Sequence, residues 1–203
     1  RTVKDNLKEI AAGEEEACEK LMYALVLSGL AMQMTGNSRP ASGAEHHLVH
    51  LWDMEVVNGH LDALHGEKVS AGTMLVLLEY KKIADAIRKG NCKVHTCTEE
   101  DRELLQSTFG KKGILGAIEK ENTPELLDDV STKELSDTLP GILKIIDALP
   151  AVTDMQEMMN TAGCVSRVRD IGLPGEVIEE SLRLAPYTRR RLSLLRLRKM
   201  LTY

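Results

Sequence analysis

The chain has 203 residues, with 26 Lys and Arg against 31 Asp and Glu for a net charge of −5, and only 3% aromatic residues. That length is enough to bury one sizeable core, while the acidic balance and lack of stacking rings argue against nucleic acid as the main partner. No run approaches the eighteen or so uncharged apolar residues of a membrane span, and no secretory signal opens the chain.

The first residue is Arg1 and a charged amphipathic segment follows at once, which suggests a piece of something longer. "VKDNLKEIAAGEEEACEKLMYALVLSGLAMQMTG" spaces its apolar residues three and four apart. It predicts a short helix and a long buried one, split near Gly13 and closed by Gly36. "NSRPASGAE" reads as a loop, because Pro40 lacks an N–H and pushes Arg39 out of the helical region. Ser42 is the expected N-cap of the helix carrying "EHHLVHLWDMEV", and "NGH" ends that helix.

A second long helix runs from about Glu67 to Gly90. Thr98 with Asp101 marks the start of the next, "EEDRELLQSTFG". Shorter helices are expected in "KKGILGAIEKEN" and "PELLDDV", with a turn at 122–124. Pro140 is placed near the start of "GILKIIDALP", and Pro150 at its end. After "DMQEMMNTAG", where Met155, Met158 and Met159 read as core, "IGLPGEVIEE" is a turn and Pro186 divides the last helical segment. No stretch keeps a period of two, so the fold class is all-α, a helical array with almost no sheet. Cys18, Cys92, Cys97 and Cys164 form no CxxC pair and suit a reducing cytoplasm. "CKVHTC" is too tightly spaced for a zinc knuckle and is read as a loop between helices.

Five of the six histidines fall between positions 46 and 65. His46 and His50, four apart on a helix, share one face, and His47 points about a quarter turn aside. His65 opens the following helix and can come back beside that face. Two neutral imidazoles from different elements, with an oxygen ligand, would make a metal site with an open position. Histidines at helix ends also often cap or face solvent, and His60 and His95 are assigned to that class.

The wording around these histidines is specific. "SGLAMQMTGNSRPASGAEHHLVHLWDM" and "ALHGEKVSAGTM" resemble the glycerol-1-phosphate dehydrogenase family, within the superfamily of iron-type alcohol dehydrogenases, glycerol dehydrogenases and dehydroquinate synthases. The tail "APYTRRRLSLLRLRKML" is similar to the closing segment of the bacterial branch, whereas 90–175 is placed only by its helical character. The resemblance implies that residues 1–203 are the all-helical C-terminal metal-binding domain of a dehydroquinate synthase-like enzyme. The α/β nucleotide-binding domain would be absent from this chain, which has no Gly-rich strand-to-helix turn; "GKKGILG" is not one.

The resemblance also assigns roles. His46 and His65 ligate a divalent ion (zinc, nickel or iron), and His50 contacts the substrate and takes part in catalysis. A third ligand, an aspartate, belongs to an upstream segment that the opening of this chain does not match; Asp5 is a poor candidate. NAD(P)H would be bound mainly by the missing domain, so the fragment alone is expected to be inactive. The implied reaction of the full-length enzyme is reduction of dihydroxyacetone phosphate to sn-glycerol 1-phosphate, in the cytoplasm, and a homo-oligomer is left open. Arg39 and Lys68 are candidates to sense the phosphate, with a solvated lysine as the plainer reading of Lys68. Glu45 and Glu67 either orient imidazoles or serve as pairs and caps. "TRRRLSLLRLRK" reads as an amphipathic helix with a solvated basic face. Alternatives are a glycerol dehydrogenase or dehydroquinate synthase-like domain, against which "SRPASGAEHH" argues, and a non-catalytic helical interaction module.

Overall fold

The computed structural model describes residues 2–97 and 101–203; the start signal at Thr98 lies outside them. Two short helices, α1 (Thr2–Asp5) and α2 (Leu7–Ala11), precede the long α3 (Glu15–Thr35). Gly36 ends α3 in the left-handed region, φ 65°, which a residue without Cβ adopts freely. Its N–H reaches Gln33 O while that of Asn37 reaches Met32 O, so the last turn's carbonyls are satisfied.

The expectation that α3 is buried does not hold. Ala17 is its one buried residue, while Met22, Tyr23, Leu25, Val26, Leu27 and Leu30 are exposed and Met34 is 88% exposed. Apolar periodicity states that a face seeks cover; it does not state that the same chain supplies it.

The centre of the molecule is a helical hairpin, α4 (Ala44–Asp53) and α5 (His65–Arg88). Leu48, Val49, Leu51 and Trp52 of α4 and Ala71 and Val76 of α5 form the main core, joined by Phe109, Leu182, Leu184, Tyr187 and Leu195 from later in the chain. Each large side chain so buried contributes about 1.5–3 kcal/mol. The Trp52 indole keeps its polar end satisfied by donating to Ser181 Oγ at 3.0 Å.

The remaining elements wrap this hairpin. They are β1 (Lys93–Val94), α6 (Asp101–Phe109), α7 (Leu115–Glu121), α8 (Thr132–Asp147), α9 (Val152–Thr161), α10 (Ile178–Leu184), α11 (Leu194–Leu197) and β2 (Leu201–Thr202). The expected all-α class is what is found. The exception is a short antiparallel pair in which Lys93 faces Thr202 and Val94 faces Leu201. That pair returns the C-terminus to a second apolar cluster of Ile83, Leu127, Leu135, Leu139, Met200 and Leu201.

Three local expectations are corrected. "PELLDDV" is a turn, not a helix; its polar groups are engaged from the C-terminal segment, with Arg190 on Pro124 O and Arg196 on Glu125. Helix α8 starts eight residues before Pro140 because Ser131 caps it, accepting from the N–H of Glu134. Pro140 and Ser136 are both exposed, so the carbonyl that Pro140 deprives of a donor can be hydrated. The basic run at 189–199 is not one solvated face: α11 spans only four residues, and Arg196 within it is 1% exposed. Pro186 divides the C-terminal segment as expected, α10 giving way to a 3-10 turn at Ala185–Thr188.

Candidate metal and substrate site

The start of α4 is set by the backbone and by Glu45. Gly43, not Ser42, is the N-cap, and no side chain caps it. Instead Glu45 folds back, accepting the Gly43 N–H at 2.7 Å and the Nδ1 hydrogen of His46 at 2.8 Å through one oxygen. Burial pushes the Glu45 carboxyl up, but the hydrogen bonds from His46 and Gly43 outweigh it and hold it below its usual range. An ionised carboxylate only accepts, so Nδ1 of His46 carries the proton and Nε2 keeps its lone pair for a ligand.

His65 is the first residue of α5, and its position follows from how that helix begins. The Leu64 N–H donates to Glu67 Oε2 at 2.7 Å, closing the first turn, so Glu67 caps a helix and does not orient an imidazole. Lys68 Nζ reaches Asp53 Oδ1 at 2.8 Å and ties the start of α5 to the end of α4. Lys68 is therefore ion-paired across the hairpin and is not a freely solvated lysine.

These constraints bring His46 and His65 together, with ring centroids 5.7 Å apart and planes inclined at 54°. A metal–nitrogen bond of about 2.1 Å puts an imidazole centroid roughly 3.2 Å from the ion, so two such ligands at tetrahedral to trigonal angles have centroids roughly 5–6 Å apart. The pair fits a shared divalent ion on that measure. Among the described residues no group of three His, Cys, Asp or Glu side chains could hold a metal ion.

His50, one turn beyond His46, is half-buried. Burial, and after it the charges of Arg189 and His46, push its pKa down. The neutral ring offers one donor and one acceptor. His47 is taken out of the site: it is 1% exposed, and burial with the nearby Arg191 charge pushes its pKa down to about 4. Neither of its ring nitrogens has a hydrogen-bond partner. His60 is exposed and pairs with Glu55, and His95 binds the carbonyl of Thr96.

Arg39 sits exposed on the loop before α4, on the wall of a cavity of about 420 Å³ that Ser42, Gly43, His47, Arg190 and Arg191 also line. Arg191 holds this loop, donating to Ser42 O at 2.7 Å and Ser38 Oγ at 2.9 Å. Sequence reasoning missed Arg189 and Arg191. The signal was the run "TRRR", but nothing in its spacing says which arginines turn inward.

Comparison with known proteins agrees with the local wording. The chain is 33% identical over 192 residues to a protein of Halalkalibacterium halodurans named glycerol-1-phosphate dehydrogenase [NAD(P)+]; the match covers 94% of this chain and 40% of that protein. It is 28% identical over 186 residues to a protein of the same name from Geobacillus stearothermophilus, covering 91% of this chain and 39% of the relative. Over 83 residues it is 41% identical to the Pyrococcus horikoshii protein of that name. The chain thus spans about 40% of the length of the bacterial relatives it matches across most of its own length. No family model and no solved structure matches it.

Proposed function

Because this chain belongs to the glycerol-1-phosphate dehydrogenase family, we propose that it is the helical metal- and substrate-binding part of an NAD(P)-dependent enzyme that reduces dihydroxyacetone phosphate to sn-glycerol 1-phosphate. Nucleotide binding is assigned to the part of the relatives that this chain does not span. The observation that carries the reading is the approach of His46 and His65, 5.7 Å between centroids, inside the segments that resemble the family most closely.

In this reading His46, through Nε2, and His65 hold a divalent ion, zinc, nickel or iron, with the third ligand coming from outside this chain. A bound divalent ion would supply Lewis acidity, drawing electron density from the ketone oxygen as hydride reaches the carbonyl carbon. Glu45 fixes the His46 ring through Nδ1 and increases its basicity toward a ligand. His50 is held neutral on the same face of α4, one turn on, and hydrogen-bonds a substrate hydroxyl. The Arg39 guanidinium takes the substrate phosphate.

The test loads the purified chain with zinc or nickel and measures bound metal for the wild type and for the His46→Ala, His65→Ala double variant. Greater metal retention by the wild type supports the reading; equal occupancy in the wild type and the double variant removes the metal site from these two histidines. The substrate assignment is tested on the full-length enzyme, with dihydroxyacetone phosphate against dihydroxyacetone. Activity confined to the unphosphorylated ketone would overturn it.

A further inference from the structure

From Leu21 to Met34, helix α3 carries no charged residue over roughly 20 Å of its length. Tyr23, Leu27, Leu30 and Met34 follow one another four, three and four residues apart, so they form one stripe, with Val26 beside it. All five are between 47% and 88% exposed. A surface helix turns such a stripe toward a core and its polar side toward water. Here the apolar stripe is the side left open.

The contacts that this chain does supply lie elsewhere on the helix. Its main packing partners are α1 and α2, and Lys20 Nζ donates to Asn6 Oδ1 at 3.1 Å. Leu21, Ala24 and Ser28 are half-buried, and helical geometry puts them on the side opposite the stripe. The helix is thus anchored from behind and presents its large apolar side chains outward. Soluble proteins seldom leave a contiguous apolar patch of this kind without a partner.

The size of the stripe selects that partner. A specific interface between free proteins takes roughly 20–30 residues a side, and one face of four helical turns offers far fewer. A segment of the same polypeptide avoids most of the cost of association, because its tether keeps it at an effective concentration of about millimolar or above. The relatives have such segments to offer, since this chain spans about 40% of their length.

We propose that the stripe of Tyr23, Leu27, Leu30 and Met34 is the docking surface for the rest of the polypeptide, which meets it through an uncharged apolar surface. The identity of this occupant rests on the function proposed above, in which that part binds the nucleotide. Helix α3 leads through residues 36–43 into α4, the helix of His46 and His50. Docking on α3 therefore sets where the nucleotide-binding part stands relative to the histidine pair, a task that the His46–His65 geometry does not perform.

Oxidation of Met34 by hydrogen peroxide, followed by peptide mass spectrometry, tests the proposal on the isolated chain and on the full-length enzyme. Met34 should react roughly tenfold more slowly in the full-length enzyme, because oxidation follows exposure. The Leu27→Lys, Leu30→Lys variant of the full-length enzyme, with folding checked by circular dichroism, should restore the fast rate. Equal rates in the isolated chain and the full-length enzyme overturn the proposal, as does continued protection in the folded variant. Slow oxidation in the isolated chain itself, with twice the chain's mass by light scattering, assigns the face to a second copy and also overturns it. Metal analysis of the same samples separates this proposal from the metal reading. Equal oxidation rates with metal retained by the histidine pair sink the docking alone, whereas protection of Met34 with equal metal in wild type and the His46→Ala, His65→Ala variant sinks the metal reading alone.

Discussion

Gly72 of α5 lies against the backbone of Glu45 in α4: a Cβ added to Gly72 would stand 3.2 Å from the Glu45 carbonyl oxygen and 3.7 Å from its Cα. This contact sets how closely the two histidine-bearing helices pass. A larger residue must push α5 away from the turn that carries His46. Gly72→Val is expected to cost about 1–3 kcal/mol through overpacking and to lower zinc retention, read by urea denaturation and metal analysis. Unchanged metal retention in the folded variant would show that the hairpin spacing does not govern the histidine pair.

Ser181 is 0% exposed and accepts the Trp52 indole N–H at 3.0 Å. Ser181→Ala leaves that donor unsatisfied in the centre of the core. The expected loss is about 1–3 kcal/mol, measured by chemical denaturation. A loss below a few tenths would mean that water reaches the indole.

Arg196 joins three segments from the interior. Its guanidinium donates to Glu125 Oε1 at 2.7 Å and to Asn122 Oδ1 and Pro186 O at 2.5 Å. Arg196→Met removes the charge and leaves those acceptors buried, with an expected cost of about 3–5 kcal/mol. Arg196→Lys should rescue little, since one ammonium cannot span the acceptors that a planar fork reaches. Full recovery by lysine would show that charge alone matters there.

Asp101 gives stability a defined acid limb. It accepts from Arg183 at 2.8 Å and Tyr187 at 3.0 Å, and Lys199 lies 3.2 Å away. Burial raises its pKa, but these partners outweigh burial and the net shift is downward. The unfolded chain therefore holds the Asp101 proton more tightly than the folded one. Its contribution is complete above the unfolded value of about 3.9 and is lost as pH falls through the lower folded value. Asp101→Asn should lower stability at neutral pH by roughly 1–3 kcal/mol and flatten the decline below about pH 4, followed by thermal melts across pH. An unaltered acid limb would assign that decline to other carboxylates.

The apolar face of α3 contributes little to the fold of this chain. Leu25, Leu30 and Met34 are exposed and lie outside both apolar clusters. The triple change Leu25→Lys, Leu30→Lys, Met34→Lys should move stability by only about 0.5 kcal/mol per position while reducing the fluorescence of a hydrophobic dye. A large loss of stability would show that the face is covered within the chain.

Helical spacing, Gly36, Pro186 and the absence of a period of two were enough to predict the class and most boundaries, because they depend on neighbours within a few residues. The failures have a common cause. Ser42 looks like a cap, but Glu45 already takes the Gly43 amide. Pro140 looks like a helix start, but the Ser131 cap and an exposed position let the helix run through it. "LMYALVLSGLAM" looks buried, yet nothing in the described residues lies over much of it.

The sequence by itself determined the all-helical class and the likeness of Ser28–Met74 to glycerol-1-phosphate dehydrogenases, and with it which histidines to watch. Tertiary structure decided where each one sits and what it touches. It put His46 beside His65, sent His47 into the core next to Arg191, and gave Lys68 to Asp53. Spacing along a helix fixes only the angle at which a side chain leaves the axis. What it meets there depends on the path of segments that fold onto the helix from far along the chain.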